Sequence, residues 1–367
     1  MLRGLNLLIA GGGTGGHLFP GIAIAKAFMA KNPKNKVLFV GTDKPFEKNA
    51  LLKAGFDHKA ITAEGVKGRG FWQKITALRK IPTGIAQSLA IVHKFKPDIA
   101  LGVGGYSSGP VLMAAWLMNV PIVLQEQNIL PGITNRILAF FSQRIYLSYE
   151  HSRRCFNGFF QRKLQDMGNP VREEVLKKCK VQSAKCKTDA FTLLILGGSQ
   201  GAHAINLAVI KAIGHIRDKE KFFFIHQTGA PDEAMVKDAY AQHGVNCMVN
   251  AFFEDMGKQY HEADMIICRA GATTVAEITA IGKLAILIPY PFAADNHQVL
   301  NAKMLADKGA AEMILENDLN AQLLVQKIEY YADHWEISGR MAANAKDMGK
   351  PDAAKTIVED FYEIFGR

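Results

Sequence analysis

His17 is the side chain of this sequence best placed to move a proton. It directly follows Gly11-Gly12-Gly13-Thr14-Gly15-Gly16, a run that itself follows the apolar stretch Leu5–Ala10. A strand, a glycine turn and a helix start turn bare backbone N–H groups and the positive end of the peptide dipoles toward an anion, typically a phosphate. At that end the neutral imidazole is favoured, and it can accept a proton as a general base. The bland alternative is a capping or packing histidine. Gln125-Glu126-Gln127-Asn128 closes another apolar run and offers Glu126 as a second carboxylate partner, or as a buried structural acid. Polar groups clustered after an apolar strand line the crevice of an open α/β sheet.

Further segments carry ligand chemistry. Gly102–Pro110, with Gly104, Gly105, Tyr106 and Ser107, offers glycine N–H groups and hydroxyls to a second phosphate. The glycine turn recurs in the second half, where Phe191–Leu196 runs into Gly197-Gly198-Ser199-Gln200-Gly201-Ala202. Arg269–Glu277 follows the apolar Met265–Cys268; its small residues let a ligand approach the backbone, and Glu277 can accept from both hydroxyls of a ribose. Pro289–Gln298 is rich in groups that hydrogen-bond sugars. Gly11, Gly13 and Gly16 fit the dinucleotide fingerprint loosely, but Val37–Val40 leads into Gly41-Thr42 and not into an acid, which argues against NAD. No two aspartates stand at D-x-D spacing, so a metal-bridged sugar diphosphate is not expected. A leaving diphosphate would then rest on helix N-termini and Arg172, each dipole contributing about 0.3–2 kcal/mol.

Short β-rich runs alternating with helical patterns must position these groups. The strands expected are Leu5–Ala10, Lys36–Val40, Asp98–Val103, Val120–Leu124 and Arg144–Leu147, then Phe191–Leu196, Lys221–His226, Asn246–Asn250, Met265–Cys268 and Leu284–Ile288. That rhythm predicts an α/β chain of two Rossmann-like parallel-sheet domains facing a cleft. The turn signal at Gly168-Asn169-Pro170 divides them into residues 1–170 and 171–347, and a last helix over about 348–367 has Phe361, Ile364 and Phe365 to bury.

The net charge of +10 is uneven: residues 1–165 carry 22 Lys/Arg against 7 Asp/Glu, and residues 166–367 carry 22 against 27. Between Glu64 and Asp98 stand only bases, Lys67, Arg69, Lys74, Arg79, Lys80, Lys94 and Lys96, with Phe71 and Trp72 among them. A solvated helix face is the plain reading. An anionic membrane surface is the sharper one, since half of these bases at a leaflet would supply about 3–4 kcal/mol. RNA-type aromatic signatures, helix-turn-helix patterns and zinc fingers are absent, so no nucleic-acid partner is expected. Val111–Leu124 is the apolar stretch nearest to a bilayer span, but Asn119 and Pro121 split it. Leu5–Ala10 is too short for a signal peptide, which points to a cytosolic chain. The five cysteines show neither CxxC nor zinc spacing and are expected to be reduced.

Taken together, GGGTGGHLFPGIAIA, GGYSSGP, QEQN, GNPVR, GGSQGA, RAGATTVAEI and DNHQ resemble, in order and over essentially the whole chain, the motifs of glycosyltransferase family 28. Its MurG-type members are the undecaprenyl-diphospho-muramoylpentapeptide β-N-acetylglucosaminyltransferases. The resemblance implies a GT-B fold with the last helix returning to the first domain. It implies metal-independent, cofactor-free, inverting transfer of N-acetylglucosamine from UDP-N-acetylglucosamine to the C4 hydroxyl of the muramoyl sugar of lipid I, giving lipid II and UDP. That reaction would place the chain peripherally on the cytoplasmic side of the inner membrane, with further cell-wall synthesis and division proteins as partners.

Carried over by motif, the donor positions are Thr14, Gly15, Gly16, Asn128, Arg172, Ser199, Phe253, Ala272, Thr273, Thr274, Val275, Ala276, Glu277 and Gln298. Glu277 would hold the ribose, Ser199 and its turn the diphosphate, and the backbone near Phe253 the uracil. His17 would be the base, with Glu126 as rival or orienter, and the acceptor diphosphate would sit on the His17 turn with Gly104, Gly105, Tyr106 and Ser107. The membrane patch would comprise Lys67, Arg69, Phe71, Trp72, Lys74, Arg79 and Lys80. Thr273 stands where leucine is usual, His297-Gln298 where two glutamines are, and Gln125 where histidine is frequent. A transferase for another lipid acceptor, UDP-N-acetylglucosamine 2-epimerase and a non-catalytic binding module are the competing readings.

Overall fold

The computed structural model describes residues 3–63, 71–177, 190–198 and 201–365, with the side chains of 71–81 and of 294 outside the description. Two compact units emerge: residues 1–171 with 352–367, and residues 172–351.

The first unit is built on seven parallel strands, β1 (Asn6–Ala10), β2 (Lys36–Gly41), β3 (Asp57–Ala60), β4 (Ile99–Gly102), β5 (Ile122–Glu126), β6 (Arg144–Leu147) and β7 (Leu164–Asp166). Their order is β3-β2-β1-β4-β5-β6-β7. Successive side chains of a strand face opposite ways, and both faces are covered. Leu7, Ile9, Val37, Phe39, Ile99 and Leu101 pack against the helix Gly15–Lys31 on one face. Leu8, Ala10, Leu38, Val40 and Ala100 pack against the helix Ser108–Leu117 on the other. The C-terminal helix Ala353–Ile364 buries Ile357, Val358 and Phe361 in the first of these cores. Two bonds anchor it there: Tyr146 Oη donates to Asp360 Oδ2 at 2.6 Å, and Asn35 Nδ2 donates to Tyr362 Oη at 2.8 Å. Asn119 takes left-handed backbone (φ 56°) and divides the apolar stretch into a helix end and a strand.

The second unit is a six-stranded parallel sheet: β8 (Phe191–Leu196), β9 (Phe222–Gln227), β10 (Cys247–Asn250), β11 (Met265–Cys268), β12 (Leu284–Leu287) and β13 (Glu312–Met313). The order is β10-β9-β8-β11-β12-β13. Leu193, Ile195, Phe222, Phe224, Met265, Ile267, Leu284 and Ile286 form its core with the helices His203–Ile213 and Ala321–Asp333. In each sheet the strand order reverses once, between β1 and β4 and between β8 and β11. Crevices at the carboxyl ends of the strands at such reversals are where doubly wound sheets bind ligands.

Candidate active site

In the first unit the reversal gathers the loops after β1, β4 and β5. Thr14 caps the helix Gly15–Lys31 with no side-chain bond, and no acid stands within its first turn. His17 lies in that turn, half-buried, with Nδ1 2.9 Å from Gln127 Oε1. Gly104 makes the contact possible: it has φ +92°, and a Cβ there would stand 2.9 Å from His17 Nδ1. Ser108 Oγ donates to Ala10 O and Gly104 O, both at 2.8 Å, and ties the two glycine turns together. Ser107 is buried and Tyr106 half-buried, the latter with Lys44 Nζ 5.6 Å from its ring centroid.

Glu126 is buried and holds the chain beyond β5. Its carboxylate accepts from Asn128 N (3.1 Å), Gly132 N (3.0 Å) and Asn135 Nδ2 (2.8 Å). The bond to the His17 ring comes from the next residue, Gln127, which the sequence reading left without a role. Glu47 was also missed. Fully buried, it accepts from Gly13 N (2.7 Å), Thr42 N (2.9 Å) and Thr42 Oγ1 (2.6 Å) and so braces the first glycine turn from behind.

In the second unit the turns after β8, β9 and β11 meet the same condition. Gly201 has φ +77°, and a Cβ there would fall 2.1 Å from Thr228 O, so only glycine passes so close to the β9 turn. Gln227 Nε2 donates to Gly198 O at 3.1 Å, while its Oε1 accepts from Phe253 N at 3.0 Å, which joins the glycine turn to the buried Phe253. Gly271 caps the helix Ala272–Ile281, which carries Ala272, Thr273, Val275 and Glu277 buried, and Thr274 and Ala276 half-buried. Glu277 is 2% exposed, with Oε1 accepting from Arg172 Nε at 2.6 Å and Oε2 from Tyr260 Oη at 2.9 Å. Burial lowers the Arg172 pKa, but the Glu277 carboxylate outweighs it and the net direction is upward; burial and then Glu277 push the Tyr260 hydroxyl well above its ordinary range. The two partners therefore stay cationic and neutral respectively. Each carboxylate oxygen keeps a lone pair beyond its internal bond, enough for two ribose hydroxyls.

Gln298 Oε1 accepts from Tyr290 N at 2.9 Å, pinning the loop whose Asp295 and Asn296 both adopt left-handed backbone (φ 54° and 53°). Ser199, Lys67 and Arg69 lie outside the described residues. Phe71, Trp72, Lys74, Arg79 and Lys80 belong to the helix Phe71–Phe95, but their side chains lie outside the description. Among the described residues, no group of His, Cys, Asp and Glu could hold a metal ion, and no helix is long and apolar enough to cross a membrane.

Comparison with known proteins gives the geometry a family. The glycosyltransferase family 28 N-terminal domain matches residues 7–147 and its C-terminal domain residues 192–357. A UDP-N-acetylglucosamine–N-acetylmuramyl-(pentapeptide) pyrophosphoryl-undecaprenol N-acetylglucosamine transferase of Anaeromyxobacter sp. is 43% identical over 99% of this chain and 94% of its own. The transferase of the same name from Syntrophus aciditrophicus is 45% identical over 97% of each chain. The crystal structure of Acinetobacter baumannii MurG superposes with a TM-score of 0.76, at 28% identity, over 98% of this chain and 99% of that one. A UDP-GlcNAc 2-epimerase from Neisseria meningitidis reaches a TM-score of 0.69 at only 14% identity, over 99% of this chain and 100% of that one, and so shares the fold. With two domain matches in order and such identity along its length, the chain belongs to glycosyltransferase family 28.

Proposed function

We propose that this chain transfers N-acetylglucosamine, with inversion, from UDP-N-acetylglucosamine to the C4 hydroxyl of the muramoyl sugar of lipid I, giving lipid II and UDP. The observation that carries the reading is the 43–45% identity, over nearly the whole of both chains, to relatives named for this transfer. In the first unit, His17 takes the proton of the acceptor hydroxyl as its oxygen bonds to the anomeric carbon of the donor. The bond from that carbon to the diphosphate oxygen breaks, and the electron pair leaves on UDP. The acceptor diphosphate sits on the N–H groups of the His17 turn and of Gly104-Gly105, beside Tyr106 and Ser107. In the second unit, Glu277 receives the ribose hydroxyls, the Gly197–Ala202 turn the donor diphosphate, and the loop pinned by Gln298 the sugar.

Docking to the anionic leaflet that carries lipid I has support in the first unit. Ile133, Ile137, Phe140 and Phe159 are large apolar side chains more than half exposed. Lys163 Nζ lies 5.7 Å from the Phe159 ring centroid, and Arg136 and Arg162 are nearby in sequence. Apolar side chains ringed by bases suit a headgroup surface. Together with the basic run from Lys67 to Lys80 in the sequence, they support this unit as the membrane-facing one.

The test is transfer of labelled sugar to a lipid I analogue by wild type and by His17→Ala. A general base is worth about 10²–10⁴ in rate, so the variant should lose at least ~100-fold in kcat with UDP affinity unchanged. Full turnover in His17→Ala would remove the base assignment, and no transfer by wild type would remove the acceptor.

A further inference from the structure

We infer that Gln127 sets the tautomer of His17, and that Gln125 locks Gln127 in the orientation this requires. The argument starts at a backbone carbonyl. Gln127 Nε2 donates to Val103 O at 2.7 Å, and a carbonyl oxygen only accepts. With the amide turned over, two acceptor oxygens would face each other at that distance. Gln127 Nε2 also donates to Gln125 Oε1, which reinforces the same orientation. The Gln127 carbonyl oxygen is thereby committed to face the His17 ring, 2.9 Å from Nδ1. An amide oxygen cannot donate, so in the neutral ring the proton sits on Nδ1 and Nε2 is the nitrogen left to accept one.

Gln125 is held in turn. Its Nε2 donates to Asn169 Oδ1 at 3.2 Å and to Ser148 Oγ at 3.3 Å, which leaves its Oε1 as the acceptor for Gln127. Gln125, Gln127 and Asn169 are all buried, at 4% exposure or less. Exchange with water is therefore suppressed, and losing one member leaves buried polar atoms unpaired. The chain Asn169–Gln125–Gln127–His17 runs from the Gly168-Asn169-Pro170 turn to the ring of His17 in one sequence of directed bonds. Gln127 and Gln125 are positioning residues: they act through His17, not on the sugar.

The kinetic consequence rests on the proposed base role of His17; the tautomer itself does not, and the experiment separates the two. Long-range ¹H–¹⁵N spectra of the full chain with labelled histidine, assigned by His17→Gln, report which ring nitrogen carries the proton at a pH where the ring is neutral. The expected wild-type spectrum has a protonated Nδ1 and an unprotonated Nε2. Gln127→Met, close in volume and unable to accept, should shift His17 toward the Nε2–H form and lower kcat at least ~10-fold with UDP affinity unchanged; a wrong tautomer in a Ser-His-Asp triad costs as much as ~10⁴. Gln125→Met should produce the same changes more weakly. A wild-type His17 protonated on Nε2, or a Gln127→Met spectrum identical to wild type, overturns the inference, and the first of these needs no variant to fold. If His17→Gln keeps full turnover while the Nδ1–H signature is present, the base reading fails and the tautomer assignment stands.

Discussion

Replacing Arg172 with methionine asks what this arginine serves. The motif resemblance points it at the donor diphosphate, whereas its Nε donates to Glu277 Oε1 at 2.6 Å. The two side chains are 13% and 3% exposed, so the pair is close to fully desolvated. Removing one partner of such a pair leaves an uncompensated buried charge and costs about 3–5 kcal/mol of stability. Tyr260 would still hold Glu277 Oε2, but the carboxylate proposed to receive ribose would lose its second anchor. If that displaces one charge-assisted hydrogen bond to ribose, about 1.5–3 kcal/mol, affinity falls roughly 10- to 100-fold. The discriminating feature is which ligands suffer. Uridine, UMP and UDP share the ribose, so titration calorimetry or competition should show the same fold-loss for all three. A loss confined to UDP would place the guanidinium on the diphosphate and refute the reasoning. Urea stability within about 0.5 kcal/mol of wild type would refute the desolvated pair.

Three further outcomes follow from the same structure. Glu47→Ala should cost about 1–3 kcal/mol, because Gly13 N and Thr42 N lose their acceptor, and kcat should fall while UDP affinity holds; an unchanged kcat would mean that the first glycine turn needs no brace. His226 is fully buried, and burial lowers its pKa from 6.5 to about 3, so the unfolded chain protonates it first as pH drops. Stability from this group is complete above pH 6.5 and is lost on the way down toward 3; wild type should lose about 2 kcal/mol more than His226→Gln between pH 7 and 5 in urea unfolding, and equal slopes would contradict the burial. Phe140→Ser with Phe159→Ser, and separately Lys/Arg→Ser changes across Lys67–Lys80, should each weaken sedimentation with anionic vesicles by tenfold or more, since burying one phenylalanine is worth about 1.5–3 kcal/mol. Binding indifferent to both sets and to salt would move the membrane surface elsewhere.

All the central strands were legible in the sequence, because both faces are covered and nearly every residue is apolar, and so was one edge strand, β10, through its Cys-Met-Val run. The three that escaped are at edges. β3 reads Asp-His-Lys-Ala and is mostly exposed, β7 is the three residues Leu164–Asp166, and β13 is only Glu312–Met313. None has an apolar run to announce it, because an edge strand needs only one neighbour and tolerates charge. At the site, the sequence reading named Glu126 beside His17, whereas the bond to the His17 ring comes from its neighbour Gln127. Strand side chains alternate, so Gln125 and Glu126 at the end of β5 face opposite ways, and Gln127, one residue past the strand, returns to the side of Gln125, to which it is bonded. That alternation was readable and would have pointed to Gln127 for His17, but carboxylates draw attention as catalytic partners and amides do not. Glu47 has one local partner, Thr42, five residues before it, but its bond to Gly13, the one that braces the glycine turn, forms only once β1 and β2 pair. Arg172 and Glu277 lie 105 residues apart, so their pairing too needs the fold.

The most direct test of the account offers purified wild-type chain three acceptors side by side in the presence of UDP-N-acetylglucosamine and EDTA: a lipid I analogue, a diacylglycerol and water alone. Sugar should appear only on the lipid I analogue, β-linked at C4 of the muramoyl residue by NMR, with one UDP released per linkage. Transfer to the diacylglycerol instead, a retained α linkage, or UDP release with no sugar on any lipid would contradict it.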